Sequence, residues 1–251
     1  MKVIINGCSG RMGSALSEQC RQAGVTVICG VDRRPCEYWY PVYGSLSLVS
    51  EKADVLIDFS AASALEEVLS YAERTSTPLV LATTGYTAEQ NARIIKTSES
   101  LPVFRSKNMS LGVSLAASLA AEAAKALGGD FDIEIIETHH SGKVDAPSGT
   151  ALMIADEITG AVGGEHDYVF DRTGRREPRG KNEIGIQSVR GGGVVGDHTV
   201  MFLGKYESIA ISHRAFDRSL FASGALRAAE FVSGLGPGLY SMKDLIASEV
   251  K

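Results

Sequence analysis

The sequence has few of the residues that build several common kinds of site. Its four cysteines (Cys8, Cys20, Cys29 and Cys36) all lie near the N-terminus, and no two of them form a C-x-x-C pair. No Cys/His cluster has the spacing of a zinc site, and no histidine precedes His139. We therefore expect no metal site, no catalytic cysteine, and thiols that stay reduced in the cytoplasm.

Strong positive charge and long apolar runs are also lacking. The formal net charge of −5 gives no basic surface for nucleic acid. No stretch approaches the roughly 18 consecutive apolar residues of a membrane span. The first strand begins almost at Met1, so we expect no signal peptide. With 44% apolar and 22% charged residues, the composition is that of a globular protein, which we expect in the cytoplasm without nucleic-acid or membrane partners.

Short apolar strands alternate with helices through the first hundred residues. Strands are predicted over 3–6, 25–29, 54–59, 78–82 and 102–105. Helices are predicted over 14–22, over 63–73 with Ser63 as its cap, and over 87–99 with a capping box at Thr87. This α/β pattern predicts an N-terminal Rossmann-type parallel sheet with helices on both faces.

The pattern changes after Ser110. A helix over 111–127, a strand over 131–137 and a helix to about residue 159 precede a polar, arginine-bearing segment, which we interpret as a solvated loop. Three strands over 183–190, 194–203 and 206–213 follow with short links, so we expect antiparallel neighbours. Two helices over 218–232 and 241–248 close the chain. We predict a second α+β domain with a mixed or antiparallel sheet over 110–216, and a first domain of 1–109 plus about 217–251.

A glycine-bearing turn joins the first strand to the first helix. Its sequence is Gly7-Cys8-Ser9-Gly10-Arg11-Met12-Gly13. Glycines there let the backbone approach a pyrophosphate, and the helix start offers unpaired N–H groups to negative charge. Asp32 follows the second strand and is placed to bind a ribose hydroxyl, while Arg33 and Arg34 suit a 2′-phosphate. The turn predicts a dinucleotide-binding domain and leaves the choice of NADH or NADPH open. Ala82-Thr83-Thr84-Gly85 ends another strand at the same edge of the sheet.

A second cluster follows the strand over 131–137. It reads His139-His140-Ser141-Gly142-Lys143-Val144-Asp145-Ala146-Pro147-Ser148-Gly149-Thr150. Histidine donates and accepts protons near neutral pH, and a lysine in a partly dry pocket attracts carboxylate. The helix start after Pro147 offers the Gly149 and Thr150 amides and the Thr150 hydroxyl to an anion. The cluster predicts acid–base chemistry on an anionic small molecule, although Ser148 can also act as a simple helix cap.

At these motifs the sequence resembles the dihydrodipicolinate reductase family of bacterial lysine and diaminopimelate synthesis. The resemblance extends over nearly the whole chain and includes the glycine turn, Thr83-Thr84-Gly85 and the segment from Glu137 to Ala151. It continues through Lys107-Asn108-Met109-Ser110-Leu111-Gly112, Ser188-Val189-Arg190-Gly191-Gly192 and Phe221-Ala222-Ser223-Gly224-Ala225.

The resemblance implies a role for each matching residue. His139 and Lys143 match the proton donors, and the substrate-binding positions match His140, Lys143, Ser148, Gly149 and Thr150. Cofactor contacts match Gly7, Cys8, Ser9, Gly10, Arg11, Met12, Asp32, Arg33, Ala82, Thr83, Thr84, Ser106, Lys107, Asn108 and Met109. The sequence departs from residues frequent in the family at Ala82, at Lys107 and Met109, and at Asp32. All of these positions match cofactor contacts, so the departures bear on coenzyme preference.

The function implied is NAD(P)H-dependent reduction of the cyclic imine dicarboxylate 4-hydroxy-tetrahydrodipicolinate to tetrahydrodipicolinate. The resemblance also implies a homo-oligomer, usually a tetramer joined through the second domains' sheets. Two alternatives stay open from the residues alone: another two-domain nicotinamide oxidoreductase, or a non-enzymatic dinucleotide sensor. Two absences count against the first alternative. A short-chain dehydrogenase needs a tyrosine with a lysine four residues later, and no tyrosine here has one. A semialdehyde dehydrogenase needs a catalytic cysteine in the second domain, and no cysteine follows Cys36.

Overall fold

A computed structural model describes residues 1–34 and 36–249 of the chain. The chain forms two compact units, of which the first combines Met1–Leu111 with Arg218–Lys251 and the second is the continuous segment Gly112–Asp217. The first unit is therefore built from both ends of the chain.

The first unit is a parallel sheet covered by helices. The strand order β3-β2-β1-β4-β5-β6-β12 reverses direction between β1 and β4, as in doubly wound dinucleotide-binding folds. Its elements are β1 (Lys2–Asn6), α1 (Arg11–Gln22), β2 (Thr26–Val31), β3 (Val42–Tyr43), β4 (Val55–Asp58), α2 (Leu65–Thr75), β5 (Leu79–Leu81), α3 (Ala88–Ser98) and β6 (Pro102–Arg105), and, from the end of the chain, α6 (Ser219–Ser233), β12 (Gly238–Tyr240) and α7 (Met242–Glu249). The predicted Rossmann-type sheet is confirmed.

Local signals explain most, but not all, of these elements. The capping box at Thr87 is present, with Thr87 Oγ1 accepting from the Gln90 backbone and the Gln90 side chain accepting from the Thr87 backbone. The prediction that Ser63 caps α2 is wrong, because a 3₁₀ turn over Ala62–Ala64 precedes that helix and its cap position is Ala64. The very short strands β3 and β12 were not predicted, since two or three residues carry no periodicity.

The second unit places helices on one face of a five-stranded mixed sheet. Its elements are α4 (Leu111–Leu127), β7 (Asp132–His139), α5 (Gly149–Val162), β8 (Asp167–Val169), β9 (Glu183–Arg190), β10 (Gly196–Leu203) and β11 (Ser208–Ala215). The core contains alanines of α4, apolar residues of α5, and Ile135, Val200 and Phe202 from the sheet. Alternation along β7 therefore puts Ile135, Glu137 and His139 on the face toward the helices.

The predicted antiparallel trio is only partly correct. β10 and β11 pair antiparallel, but β9 pairs parallel with β7, which lies between β9 and β10. Sequence proximity favoured the hairpin arrangement, whereas the structure places β7 in the centre of the sheet between β9 and β10. The strand β8 inside the predicted loop was also missed.

The arginine-bearing segment after β8 is mostly exposed, as predicted for a solvated loop, but it also makes ion pairs. Arg172 and Arg175 pair with Glu183 at 2.9 and 2.7 Å, and Arg179 pairs with Asp132. These pairs hold the segment against the first residues of β7 and β9. The pairs were not predicted, because their carboxylate partners lie on other elements.

Helix α4 is the most apolar long helix of the chain. With the short turn that follows it, Leu111–Asp130 has the length and mean hydropathy, 1.2, of a membrane span, contrary to the sequence expectation. One such helix is weak evidence for a membrane. Ala117, Ala120 and Ala124 are buried against the five-stranded sheet, and Glu122 and Lys125 pair with each other on the outer face, so we interpret α4 as a core helix.

Helix α6 completes the first unit and depends on a glycine for its close approach. It packs on α1 and along β4, β5 and β6. A Cβ at Gly224 would lie 1.7 Å from the Met109 carbonyl oxygen, so only glycine lets α6 reach the segment after β6.

We predict that Gly224→Ala lowers stability although alanine favours helices. The methyl group collides with backbone that cannot rotate away, and overpacking costs about 1–3 kcal/mol. Gly160→Ala in α5 is the matched control, because nothing lies within 4 Å of its Cβ position, and it should be neutral or stabilise by up to about 1 kcal/mol. Thermal unfolding followed by circular dichroism makes the comparison. Equal transition temperatures for both variants would contradict the packing argument.

Candidate functional site

The glycine turn after β1 packs backbone against backbone. Gly7 has a φ of +79°, and a Cβ at Gly13 would lie 2.2 Å from the Gly7 carbonyl oxygen. Helix α1 begins directly at this turn, with Gly10 as its N-cap, no side chain capping it and no acidic residue in its first turn. An uncapped helix start lined by glycine is a fitting place for a phosphate group.

Asp32 is tied to the same turn. Its carboxylate accepts hydrogen bonds from the Ser9 backbone at 3.1 Å and the Arg34 backbone at 2.9 Å. Burial alone would raise the pKa of Asp32, but these hydrogen bonds outweigh it and hold the pKa below its usual value. The carboxylate is therefore ionised and fixed beside the turn.

Two neighbouring cavities lie along the carboxyl edge of the parallel sheet, and Phe59 lines both. The first, of about 410 Å³, is lined by predicted cofactor residues Gly7, Gly10, Asp32 and Arg33. The second, of about 350 Å³, is lined by predicted residues Arg11, Met12, Ala82, Ser106, Lys107, Asn108 and Met109, together with Arg218 and Phe221. A pair of adjoining cavities at the reversal point of the strand order is the expected place for an extended dinucleotide.

Four predicted cofactor residues do not line these cavities. The side chain of Cys8 is buried, and its sulfur lies 3.9 Å from that of Cys36. Ser9 contributes its backbone to Asp32, and Thr84 is exposed. Thr83 donates to Asp58 at 2.8 Å. Their role as cofactor contacts stays a prediction.

Asp58 forms a buried polar network at the end of β4. Its carboxyl group accepts from Asn6 at 2.8 Å, from Ser60 at 2.6 Å and from Thr83 at 2.8 Å. Burial raises the pKa of this carboxyl above its usual value. The network joins the ends of β1, β4 and β5, which are the strands that carry the cavity walls.

The second cluster is organised around Glu137, whose side chain is fully buried. Its two oxygens accept from Arg190 at 2.7 and 2.9 Å, from His139 Nδ1 at 2.5 Å and from the Ser148 backbone at 3.2 Å. Burial alone would raise the pKa of Glu137, but the hydrogen bonds from Arg190, Ser188 and His139 outweigh it and lower the pKa to about 2. The group is a buried, fully partnered carboxylate.

His139 is 8% exposed, and Glu137 holds one of its two ring nitrogens. Its Nδ1 faces Glu137, while its Nε2 lies beside Gly196, where a Cβ would come within 3.0 Å of it. The ring meets that of His198 edge to face with centroids 5.2 Å apart. Burial, with the neighbouring His139, lowers the pKa of His198 to about 4, so His198 is neutral at pH 7.

Ser148 caps α5. Its Oγ accepts from the Ala151 backbone at 3.1 Å and shares a hydrogen bond with His198 Nε2 at 3.1 Å. Only 2% of the residue is exposed, so its hydroxyl is committed within the protein. Its predicted substrate contact stays a prediction. Gly149 and Thr150, the first residues of the helix, are exposed and partly exposed.

Lys143 lies in the loop between β7 and α5. Its ammonium pairs with Asp145 at 2.9 Å, and this pair lowers the pKa of Asp145. Asp145 is well exposed, whereas Lys143 is mostly covered. His140 is partly exposed and donates its backbone N–H to Val194. The loop thus presents a cation whose partner is an exposed surface carboxylate that an incoming anion can replace.

Sequence reasoning overlooked several residues of both sites. Phe59 is the last residue of a predicted strand at the binding edge, so the sequence pattern already placed it there. Glu137, Arg190 and His198 were included in motifs or strands, but no role was assigned, since their contacts join positions up to 53 residues apart. Arg218 and Phe221 line a cavity formed by residues from both ends of the chain.

Known proteins of one family match this chain over nearly its whole length. Sequence profiles described as dihydrodipicolinate reductase, N-terminus and C-terminus match residues 1–109 and 112–246. A 4-hydroxy-tetrahydrodipicolinate reductase of Caldanaerobacter subterraneus subsp. tengcongensis is 47% identical over 98% of each chain, and one of Clostridium botulinum is 44% identical over 98% of each chain.

A solved structure agrees. The dipicolinate-bound dihydrodipicolinate reductase of Paenisporosarcina sp. TG-14 superposes with a TM-score of 0.80 at 26% identity, covering 96% of this chain and 97% of that one. These matches confirm the resemblance predicted from the motifs. The chain belongs to the dihydrodipicolinate reductase family.

Proposed function

We propose that this protein reduces 4-hydroxy-tetrahydrodipicolinate to tetrahydrodipicolinate with NADH or NADPH, in cytoplasmic lysine and diaminopimelate synthesis. The observation that carries the proposal is His139, held at Nδ1 by the buried Glu137, on the same strand–loop–helix segment as Lys143. The names of the curated relatives give the same reaction.

The first unit fits a nicotinamide dinucleotide. The close approach of Gly13 to Gly7 has no room for a Cβ, and the uncapped start of α1 lies at this turn. Gly7, Gly10, Asp32 and Arg33 would hold one half, and Met12, Ala82, Asn108 and Met109 the other. When bound, the reduced nicotinamide supplies the hydride.

The second unit fits a ring with carboxylates. The Lys143 ammonium binds one carboxylate once Asp145 gives way, and the start of α5 at Gly149 and Thr150 binds a carboxylate through its N–H groups. The solved relative carries dipicolinate, a ring with two carboxylates, in agreement with such a pair of anion sites.

His139 delivers the proton. Nδ1 faces Glu137, so Nε2 is the nitrogen that reaches solvent or substrate. After water leaves the hydroxylated substrate and hydride adds, the resulting enamine takes a proton from His139, assisted by Lys143. General acid catalysis of this kind is worth about 10²–10⁴-fold in rate.

We predict that Lys143→Ala and His139→Gln each lower kcat by more than about tenfold, because each removes a group acting on substrate. Binding of NADH, measured by fluorescence, should persist, since both residues lie in the second unit. Lys125→Ala and His166→Gln are the matched controls and should keep full activity. Wild-type turnover in both active-site variants would remove these residues from the reaction.

Coenzyme choice depends on the end of β2. Asp32 is an ionised acceptor suited to a ribose 2′-hydroxyl, and the exposed Arg33 lines the same cavity and suits a 2′-phosphate. We propose that the protein uses both coenzymes through these two neighbouring groups.

Arg33→Ala should therefore lower kcat/KM for NADPH by about 10–100-fold, the equivalent of one charge-assisted contact of roughly 1.5–3 kcal/mol. The value for NADH should stay within about threefold, because only the phosphate loses a partner. Absorbance at 340 nm with each coenzyme separately gives the comparison. A parallel fall with both coenzymes would exclude Arg33 as the phosphate contact.

The proposed tetramer forms through the face of the five-stranded sheet that α4 and α5 leave uncovered. Ile136, Val189, Met201 and Leu203 lie on this face, and Val189 and Leu203 are 48% and 38% exposed. A sheet face with several half-exposed apolar side chains is stabilised by covering it with a second copy.

Met201→Arg should shift the protein to smaller species in sedimentation velocity, since an arginine at the centre of the face would be buried without a partner. Leu48→Arg is the control, because Leu48 is an exposed apolar residue of the first unit and is not part of the five-stranded sheet. An unchanged sedimentation coefficient for Met201→Arg would place the subunit contact elsewhere.

A further inference from the structure

Two charged side chains near His139, the fully buried Glu137 and the partly exposed Arg190, have no role in the proposed binding of coenzyme or substrate. Glu137 lies on the helix-covered face of β7, two residues before His139, and Arg190 is the last residue of β9, the parallel neighbour of β7. The register places Arg190 beside His139. The Glu137 carboxylate contacts the His139 ring, and the Arg190 guanidinium contacts that carboxylate.

We propose that Glu137 and Arg190 are positioning residues that fix the tautomer and direction of His139. The inference rests on the proposed function, in which His139 Nε2 faces the substrate. Within it, Glu137 acts on the ring and Arg190 acts on Glu137.

The hydrogen bonds of Glu137 determine which ring nitrogen of His139 carries the proton. Glu137 Oε1 accepts from Arg190 Nη2 at 2.7 Å and from the Ser148 backbone at 3.2 Å. Oε2 accepts from Arg190 Nη1 at 2.9 Å and faces His139 Nδ1 at 2.5 Å. An ionised carboxylate can only accept, so the proton of this contact lies on Nδ1. Neutral His139 is then the Nδ1–H tautomer, and Nε2, beside Gly196, presents its lone pair or, when protonated, its acid proton.

The arginine keeps the carboxylate ionised. Its two-pronged contact supplies two charge-assisted hydrogen bonds to a fully buried group, and its Nη2 also donates to the Asp145 carbonyl at 2.7 Å. Arg190 thereby connects the carboxylate to the loop that carries Lys143. Movement of this guanidinium would disturb both the ring and the loop.

The other ionisable groups around the ring do not replace this pair. His198 on β10 meets the ring edge to face and is neutral at pH 7. His213 on β11 is paired in register with His198, and burial lowers its pKa. Lys143 and Asp145 in the loop pair with each other. Glu137 is the group bonded to Nδ1.

Glu137→Gln gives the sharpest test, because an amide has one acceptor and one donor. Arg190 Nη2 and the Ser148 backbone require the oxygen at Oε1, which puts the amide NH₂ opposite His139 Nδ1. The proton must then leave Nδ1, and neutral His139 becomes the Nε2–H tautomer. Nitrogen-15 NMR of histidine-labelled protein reads the tautomer directly and does not depend on turnover.

We expect the Nδ1–H tautomer in the wild-type protein and the Nε2–H tautomer in Glu137→Gln, with kcat at least about tenfold lower and coenzyme affinity unchanged. Arg190→Lys keeps a positive charge and should retain the Nδ1–H tautomer. The matched control is Glu134→Gln, which removes a carboxylate from the same strand that is paired with Arg172 rather than with the ring. It should leave the tautomer and kcat unaltered.

An Nε2–H tautomer in the wild-type protein overturns the proposal even if the variants fail to fold. A Glu137→Gln enzyme that folds also overturns the proposal if it keeps the Nδ1–H tautomer or if it retains kcat within about twofold. If His139→Gln is fully active while the tautomer switches as expected, the proposed function fails at His139 and the positioning of the ring by Glu137 stands.

Discussion

The buried carboxylate of Glu137 holds together three parts of the second unit. It accepts from β9 through Arg190, from the start of α5 through Ser148, and from its own strand through His139. Removing one partner of a buried ion pair typically costs about 3–5 kcal/mol, because the other charge stays buried without compensation. One carboxylate therefore links β9, the start of α5 and the histidine ring. The chemical site and the packing of this unit have the same cause.

The first unit achieves its geometry in the opposite way, by omitting side chains. Gly13 lets α1 start against the carbonyl of Gly7, and Gly224 lets α6 reach the carbonyl of Met109. Both approaches bring helix and loop backbone together around the carboxyl edge of the parallel sheet, where the two cavities lie. The proposed substrate site in the second unit uses fixed charges, whereas the proposed coenzyme site in the first uses backbone amides and the close approach of glycines.

Much of this could be predicted from the sequence, and the exceptions have physical reasons. The long elements, such as α4 over Leu111–Leu127 and the capping box at Thr87, follow from local periodicity and capping. The glycine turn and the His139–Thr150 segment identified both sites because each is contiguous. Local patterns do not reveal contacts between residues that are distant in sequence. Three features depend on such contacts: the position of β9, the ion pairs of Arg172 and Arg175, and the link from Arg190 to Glu137.

The division of the chain also has a consequence for its synthesis on the ribosome. The second unit is one continuous segment, Gly112–Asp217, whereas the first needs α6, β12 and α7, which follow that segment in the chain. Domains fold as their residues emerge, so the five-stranded sheet can be complete while the edge of the parallel sheet beside β6 still awaits β12. Until β12 has been synthesised, β6 is an edge strand without its outer partner, and such an edge can pair with another chain.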